Sequence, residues 1–264
     1  MFDAQHPQNP QKKSGAWVAI VSIAAAVVVA VGAYLWVRRA PPPAPPPEPV
    51  AEQAPAPPAD VKLPTAEETD ARIRAEGAKL SSRPEWAEWL KQSSLLERWV
   101  AVTDNLSEGV SPRKQLGFLA PAKGFRAQQK RNRTYIDPRS YARYDTFADV
   151  VGSIDAKGFA NLVRDLHPLL QAAYHALGYP NRNVDTAAAQ ALQRIAAAPV
   201  VEGPVELKPG QGALYLFADE KLEKQGPVAK HLLRMGPRNT KLIQAKVREL
   251  AQALQLPATA ARSP

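Results

Sequence analysis

Residues 134–156 read TYIDPRSYARYDTFADVVGSIDA and indicate the fold class, because one short run contains two helix starts. Asp137 followed by Pro138 combines an N-cap with proline at the first helical position. Asp155 is a second N-cap, and the helix that it opens is expected to end at Gly178. The apolar face of the first helix is Tyr141, Tyr144, Phe147, Val151 and Ile154. Two consecutive helices of this kind are typical of a mainly α domain.

Helix signals continue on both sides of this stretch. Caps and apolar periodicity predict further helices at 65–80, from Ser82, at 94–109, from Asp185, at 227–235 and at 237–254. Gly236 is expected to join the last two. In the helix at 94–109 the residues predicted to face the core are Leu95, Trp99, Val102 and Leu106.

Two short stretches are typical of β-structure. Residues 125–136 predict a hairpin that turns near Asn132. Residues 205–207 and 213–217 are expected to pair across Pro209 and Gly210. The predicted fold class is therefore mainly α: one helical domain over residues 63–257 with one or two short β-hairpins, followed by a disordered tail at 258–264.

The N-terminal region predicts a transmembrane helix. Residues 16–37, AWVAIVSIAAAVVVAVGAYLWV, carry no charge and would span about 33 Å, against about 30 Å for the hydrocarbon core of a bilayer. Aromatic residues lie at both ends of the segment. A cleaved signal peptide would have a shorter apolar run. Ser22, Ala26 and Ala30 form a small-residue face that suggests a homodimer of low affinity.

Residues 38–62 predict a proline-rich linker, with ten prolines in 41–58. Such a segment favours an extended polyproline II rod rather than helix or sheet. We expect residues 1–15 to be a cytoplasmic tail and the large domain to be periplasmic, in a bacterial inner-membrane protein that spans the bilayer once. The reverse orientation stays open, because the basic residues that flank 16–37 are equal in number on its two sides.

Composition excludes several classes of site. The chain has no cysteine, so disulfides and cysteine-ligated metals are excluded. His167 and His175, eight residues apart on one predicted helix, are too far apart to share a metal. No nucleophile elbow or phosphate-binding glycine motif occurs. We therefore assign no catalytic, cofactor-binding or metal-binding residue, and expect no cofactor.

The net charge of +9 favours anionic partners. A basic run with neighbouring aromatic residues occupies 123–133, and a second basic pair brackets the Gly-Pro corner near Gly236. The candidate anion-binding residues are Lys123, Arg126, Lys130, Arg131, Arg133, Arg234 and Arg238. The alternative is a solvated basic surface and a structural corner.

Five blocks of sequence, in their order and spacing, resemble a bacterial family known only as a domain of unknown function, DUF3014. The blocks are WVAVTDNLSEGVSPRKQLGFLAP from Trp99, TYIDPRSYARYDTFADVVGSIDA from Thr134, HALGYP from His175, PVVEGPVEL from Pro199 and LLRMGPRNTKLIQAKVREL from Leu232. The resemblance covers residues 63–256 and extends to the layout of a membrane anchor followed by a proline-rich linker. It implies no activity and supplies no catalytic residues.

Three functions are consistent with these features. The first is a non-enzymatic cell-envelope protein whose domain binds or scaffolds an envelope protein or an anionic polymer. The second is an envelope enzyme that acts on cell wall or lipid through two facing carboxylates. The third is a cytoplasm-facing domain that binds nucleic acid through 123–133, which the expected periplasmic placement disfavours.

Overall fold

The structure is a computed structural model that describes residues 64–212 and 214–256. The predicted tail at 1–15, transmembrane helix at 16–37, linker at 38–62 and C-terminal tail at 258–264 lie outside the described residues. Within those residues, no helix combines the length and the hydropathy needed to cross a bilayer.

Helices make up most of the domain, as the sequence predicts. They are α1 (Ala66–Gly77), α2 (Pro84–Trp89), α3 (Leu95–Ser107), α4 (Pro138–Tyr141), α5 (Asp145–Ser153), α6 (Ala156–Ala176), α7 (Val184–Ala196), α8 (Glu220–Glu223) and α9 (Pro227–Leu254). Three single 3₁₀ turns lie at Ala78–Leu80, Gly117–Leu119 and Ala142–Tyr144. The last of these turns divides the helix predicted after Asp137 into α4 and α5, because the backbone at Tyr144 leaves helical geometry (φ −106°, ψ 1°).

The two predicted hairpins are both present, and they join into one sheet. Strands β1 (Ala127–Lys130), β2 (Arg133–Ile136), β3 (Glu206–Pro209) and β4 (Tyr215–Phe217) are antiparallel neighbours in that order. The first hairpin turns at Arg131 and Asn132, whose positive φ angles are typical of a two-residue turn. The pairing of β2 with β3, which unites the hairpins, has no local signal in the sequence.

Helix α9 is the central element, with contacts to α4, α5, α6 and α7. One apolar cluster joins α1, α3, α6 and α7, and a second joins α5, the end of α7 and α9. A third lies under the sheet, where Phe217 and Leu233 are fully or almost fully buried. At the predicted corner, Gly236 has φ +83° and breaks α9 next to Pro237.

Several helix ends are capped by side chains from other helices. Asp70 on α1 accepts hydrogen bonds from the backbone N–H groups of Ser94 and Leu95, each at 2.8 Å, at the start of α3. Arg194 on α7 donates to the carbonyl of Ser107 at the end of α3, at 2.8 Å. These bonds satisfy backbone groups that the helix cannot pair internally. They also connect α3 to α1 and to α7.

The prediction of which α3 residues face the core is wrong: each buried residue lies one position after the predicted one. The structure buries Leu96, Val100, Thr103 and Ser107, whereas Leu95, Trp99, Val102 and Leu106 are only half-buried. Helix α3 packs most extensively on α7, whose buried residues at this point are alanines. Small residues on both helices allow the two backbones to approach closely, so the larger side chains of α3 are displaced to the edge of the contact.

Candidate anion-binding site

The β1–β2 hairpin presents most of the basic residues that the sequence singled out. Lys123, Arg126, Lys130, Arg131 and Arg133 are all exposed on this hairpin or just before it. Arg133 forms an ion pair with Glu206 at 3.3 Å. Among the residues that the structure describes, the other four have no carboxylate within ion-pair distance. The hairpin is therefore a basic surface.

The segment before β1 is held in a fixed position on the domain. The buried Ser140 hydroxyl accepts a hydrogen bond from the N–H of Arg126 (2.7 Å) and donates one to its carbonyl (2.8 Å). Arg143 donates to the carbonyl of Lys123 at 2.9 Å. These bonds orient Phe125, which lies between the two anchored residues.

Arg143 connects two aromatic rings. Its guanidinium lies 5.7 Å from the centroid of Phe125 and 5.3 Å from that of Tyr144, within the range of cation–π contact. Phe125 in turn packs on Tyr215 of β4, with ring centroids 6.0 Å apart. Phe125 and Tyr215 are both exposed, at 37% and 39%. Two aromatic faces beside a guanidinium are thus accessible to a ligand.

Helix α9 extends this arrangement. Arg234 lies 4.8 Å from the centroid of the Phe217 ring. His231, one turn earlier on the same helix, packs edge-on against Tyr144 with ring centroids 5.9 Å apart. Burial lowers the pKa of His231, and the nearby charges of Arg113 and Arg234 lower it further. His231 is therefore neutral near pH 7, and the positive charge here comes from arginines.

We call this set the arginine–aromatic ring. Its members are Arg113, Arg143, Arg234, His231, Phe125, Tyr144, Tyr215 and Phe217. In the described part of the chain, none of its three arginines has a carboxylate within ion-pair distance. The charge of Arg234 acts on Glu223, but that carboxylate already contacts Lys230 at 2.5 Å and the backbone N–H of Phe217 at 2.9 Å. These two contacts lower the pKa of Glu223. The ring can hold an anion and stack a flat group.

Arg238 lies outside the ring, although the sequence paired it with Arg234. Its guanidinium lies 2.7 Å from Asp149 and 3.6 Å from Asp145. The Asn239 side chain donates to Asp145 and to the carbonyl of Tyr141. Arg238 therefore stabilises the corner where α4, α5 and α9 meet.

Arg113, Arg143 and His231 are ring members that sequence reasoning missed. One signal was present: His231 and Arg234 are three residues apart on one helix and so share a face. The contact of Arg143 with Phe125 and the influence of Arg113 on His231 join segments distant in sequence, for which no local pattern exists.

The titratable groups Asp104, Glu108 and His167 lie on or next to helices α3 and α6. Burial raises the pKa of Asp104, and the neighbouring charge of Glu108 raises it further. Glu108 is itself paired with Arg182 at 2.7 Å, and this pair ties the end of α3 to the loop before α7. His167 contacts Asp185 at 2.9 Å. Within residues 64–212 and 214–256, no group of three or more His, Cys, Asp or Glu side chains is arranged to hold a metal ion.

Three carboxylates lie at the starts of helices. Asp137 and Asp155 cap α4 and α6, as predicted. Glu85 does not cap α2; the N-cap residue is Arg83, which forms an ion pair with Glu85 at 3.4 Å.

Comparison with known proteins identifies one similarity. A family model described as "Protein of unknown function (DUF3014)" matches residues 95–251. The match contains α3 to α8 and nearly all of α9, and with them every member of the arginine–aromatic ring. No curated protein and no solved structure matches the chain.

Proposed function

Because the chain belongs to the DUF3014 family, whose function is unknown, its role must follow from its own residues, and we propose that the domain is a non-enzymatic binding module for an anionic polymer. The polymer binds at the arginine–aromatic ring. The observation that carries the proposal is the position of Arg143, which has no carboxylate partner in the described chain, over the exposed ring of Phe125, itself packed on the exposed Tyr215. Arg234, over the buried Phe217, and Arg113, whose charge acts on His231, add two further arginines without such a partner.

The chemistry of the ring favours a polymer that carries phosphate or carboxylate groups together with flat groups. A guanidinium binds either anion through two parallel hydrogen bonds. The exposed faces of Phe125 and Tyr215 can stack on a sugar or another flat group while the arginines hold the charges. The exposed cations of the β1–β2 hairpin extend the positive surface, so that a long polymer makes contacts beyond the ring.

Substitution of the ring arginines tests this proposal. We expect Arg113→Gln, Arg143→Gln and Arg234→Gln each to weaken binding of long-chain inorganic polyphosphate by about tenfold, because each removes a charge-assisted contact. The measurement is a titration of the full chain in nanodiscs of zwitterionic lipid, at several salt concentrations. Polyglutamate, titrated in parallel, tells whether carboxylates are accepted as well as phosphates.

Arg72→Gln is the matched control, since Arg72 is an exposed arginine on α1 that lies 3.8 Å from Asp165. Lys130→Gln combined with Arg131→Gln should have a smaller effect than any single ring variant. Equal affinities for Arg143→Gln and Arg72→Gln, or a loss confined to the hairpin variant, would contradict a site at the ring.

We further propose that the domain works in the periplasm, held by a single transmembrane helix at 16–37 and separated from the bilayer by the linker at 38–62. The uncharged length of 16–37 and its aromatic ends support the anchor. The prolines of the linker support a stiff spacer.

A reporter fused after Pro264 tests this placement. We expect an alkaline phosphatase fusion to be active in cells, because the enzyme matures only in the periplasm, where its disulfides form. A β-galactosidase fusion at the same position serves as the reciprocal control. An inactive phosphatase with an active galactosidase would instead favour a cytoplasmic domain that binds nucleic acid.

A further inference from the structure

An apolar groove lies on the helical part of the domain, between α3, α6, α7 and the end of α9. The groove holds a partly open cavity of about 150 Å³. The side chains that form its walls include Trp99, Leu106, Phe159, Val163, Leu192 and Leu254. The half-buried side of α3 that the sequence had assigned to the core forms one wall of this groove.

The groove is lined almost entirely by hydrocarbon. Trp99 and Phe159 pack on each other with ring centroids 5.3 Å apart and form its aromatic wall. Among the described lining residues the acidic one, Asp185, is in contact with His167 at 2.9 Å. An apolar groove of this size accepts small hydrophobic groups. The chemistry of the lining therefore selects a hydrocarbon ligand.

A cation lies at one edge of the groove. Arg164 follows the lining residue Val163 on α6, and it donates to the carbonyl of Ala253, next to the lining residue Leu254. It also donates to Asn161 at 2.6 Å. Among the described residues, no carboxylate lies within ion-pair distance of Arg164, whose side chain is exposed to solvent. The groove thus combines a hydrocarbon interior with a positive charge at its edge.

We propose that this groove binds a fatty acid, with the hydrocarbon chain inside and the carboxylate beside Arg164. The volume suits part of one chain rather than the two chains of a phospholipid. The remainder of the chain lies along the half-buried Leu254 and Leu256, which border the cavity at the end of α9. This ligand differs in chemistry and location from the polymer proposed for the arginine–aromatic ring.

Photo-crosslinking in membranes tests the proposal with the full chain. A fatty acid that carries a diazirine on its chain is added to membranes containing the protein, and the labelled peptides are mapped by mass spectrometry. We expect labels on the groove walls, such as Trp99, Phe159 and Leu254. Unlabelled decanoate should compete much better than hexanoate, since each buried methylene strengthens binding by about fourfold. Labels confined to residues 16–37, or scattered over the domain, would overturn the proposal.

Two pairs of variants sharpen this test. Ala188→Leu fills part of the groove and should lower the yield of groove labels at least fivefold, whereas Ala172→Leu, on an exposed position of α6, should leave it unchanged. Decanoate should compete better than decanol in the wild type, and Arg164→Gln should remove that difference. Equal labelling of the two alanine variants would show that the groove is not the binding site. If Ala188→Leu does not fold, the positions of the labels on the wild-type protein test the proposal alone.

Discussion

A Gly236→Ala variant is expected to lose on the order of 3 kcal/mol or more of folding stability, a large part of the 5–15 kcal/mol typical of a domain. Gly236 has φ +83°, a backbone conformation that disfavours alanine. A Cβ at this position would lie 2.5 Å from Cγ and 2.8 Å from Cβ of Tyr141. Because these atoms are at the root of the tyrosine side chain, a rotamer change cannot move both away. The backbone of α4 or α9 must shift instead.

Thermal and urea unfolding of the full chain in nanodiscs would measure this loss. Gly226→Ala is the matched control, because Gly226 immediately precedes the same helix with φ −65°, and a Cβ added there would meet no atom within 4 Å. If Gly236→Ala and Gly226→Ala unfolded at similar midpoints, the close approach of Gly236 to Tyr141 at the corner of α9 would be wrong.

An Asp70→Ala variant should lose about 3 kcal/mol. Asp70 is 7% exposed, and its carboxylate accepts bonds from two backbone N–H groups at the start of α3 and from Arg74 at 3.3 Å. Truncation removes the acceptor of the two N–H groups at the start of α3, in a region that water reaches poorly, whereas Arg74 still donates to the carbonyls of Leu90 and Gln92. Asp70→Asn should have an intermediate effect, since the amide retains one acceptor oxygen but loses the charge.

Asp165→Ala controls for the removal of an acidic residue. Asp165 is 62% exposed and lies 3.8 Å from Arg72, so its loss should change the free energy of unfolding by less than about 1 kcal/mol. The comparison uses the same urea titrations. If Asp70→Ala and Asp165→Ala unfolded at the same urea concentration, the proposed role of Asp70 as the cap of α3 would be wrong.

The start of α3 shows where sequence reasoning about helix ends is incomplete. Ser94 lies at the position predicted for an N-cap, yet its side chain makes no capping bond and its backbone is left-handed. Asp70, 24 residues earlier, supplies the acceptor instead. By contrast, Thr65 forms the predicted capping box with Glu68, because both partners lie within one turn of each other. A local pattern predicts a helix start, but it does not identify a cap that comes from another helix.

The sequence likewise singled out only some of the residues of the candidate site. The basic residues of the run at 123–133 are exposed, and Arg234 belongs to the arginine–aromatic ring. That these residues bind an anion stays a prediction. Arg238, four residues later on the same helix, is instead paired with Asp149 and Asp145. No sequence pattern distinguished these two arginines, because the difference depends on whether α5 or β4 packs against each side chain.

The sequence by itself determined the helices, the two hairpins and the chemistry that is excluded, since periodicity, caps, turns and the lack of cysteine are local or compositional properties. Tertiary structure decided which face of α3 is buried, that two hairpins form one sheet, and which cations gather around Tyr144 and Phe125. The physical reason is that these outcomes depend on contacts between segments far apart in the chain, where side-chain volume and close backbone approach select one packing among several that the local pattern allows.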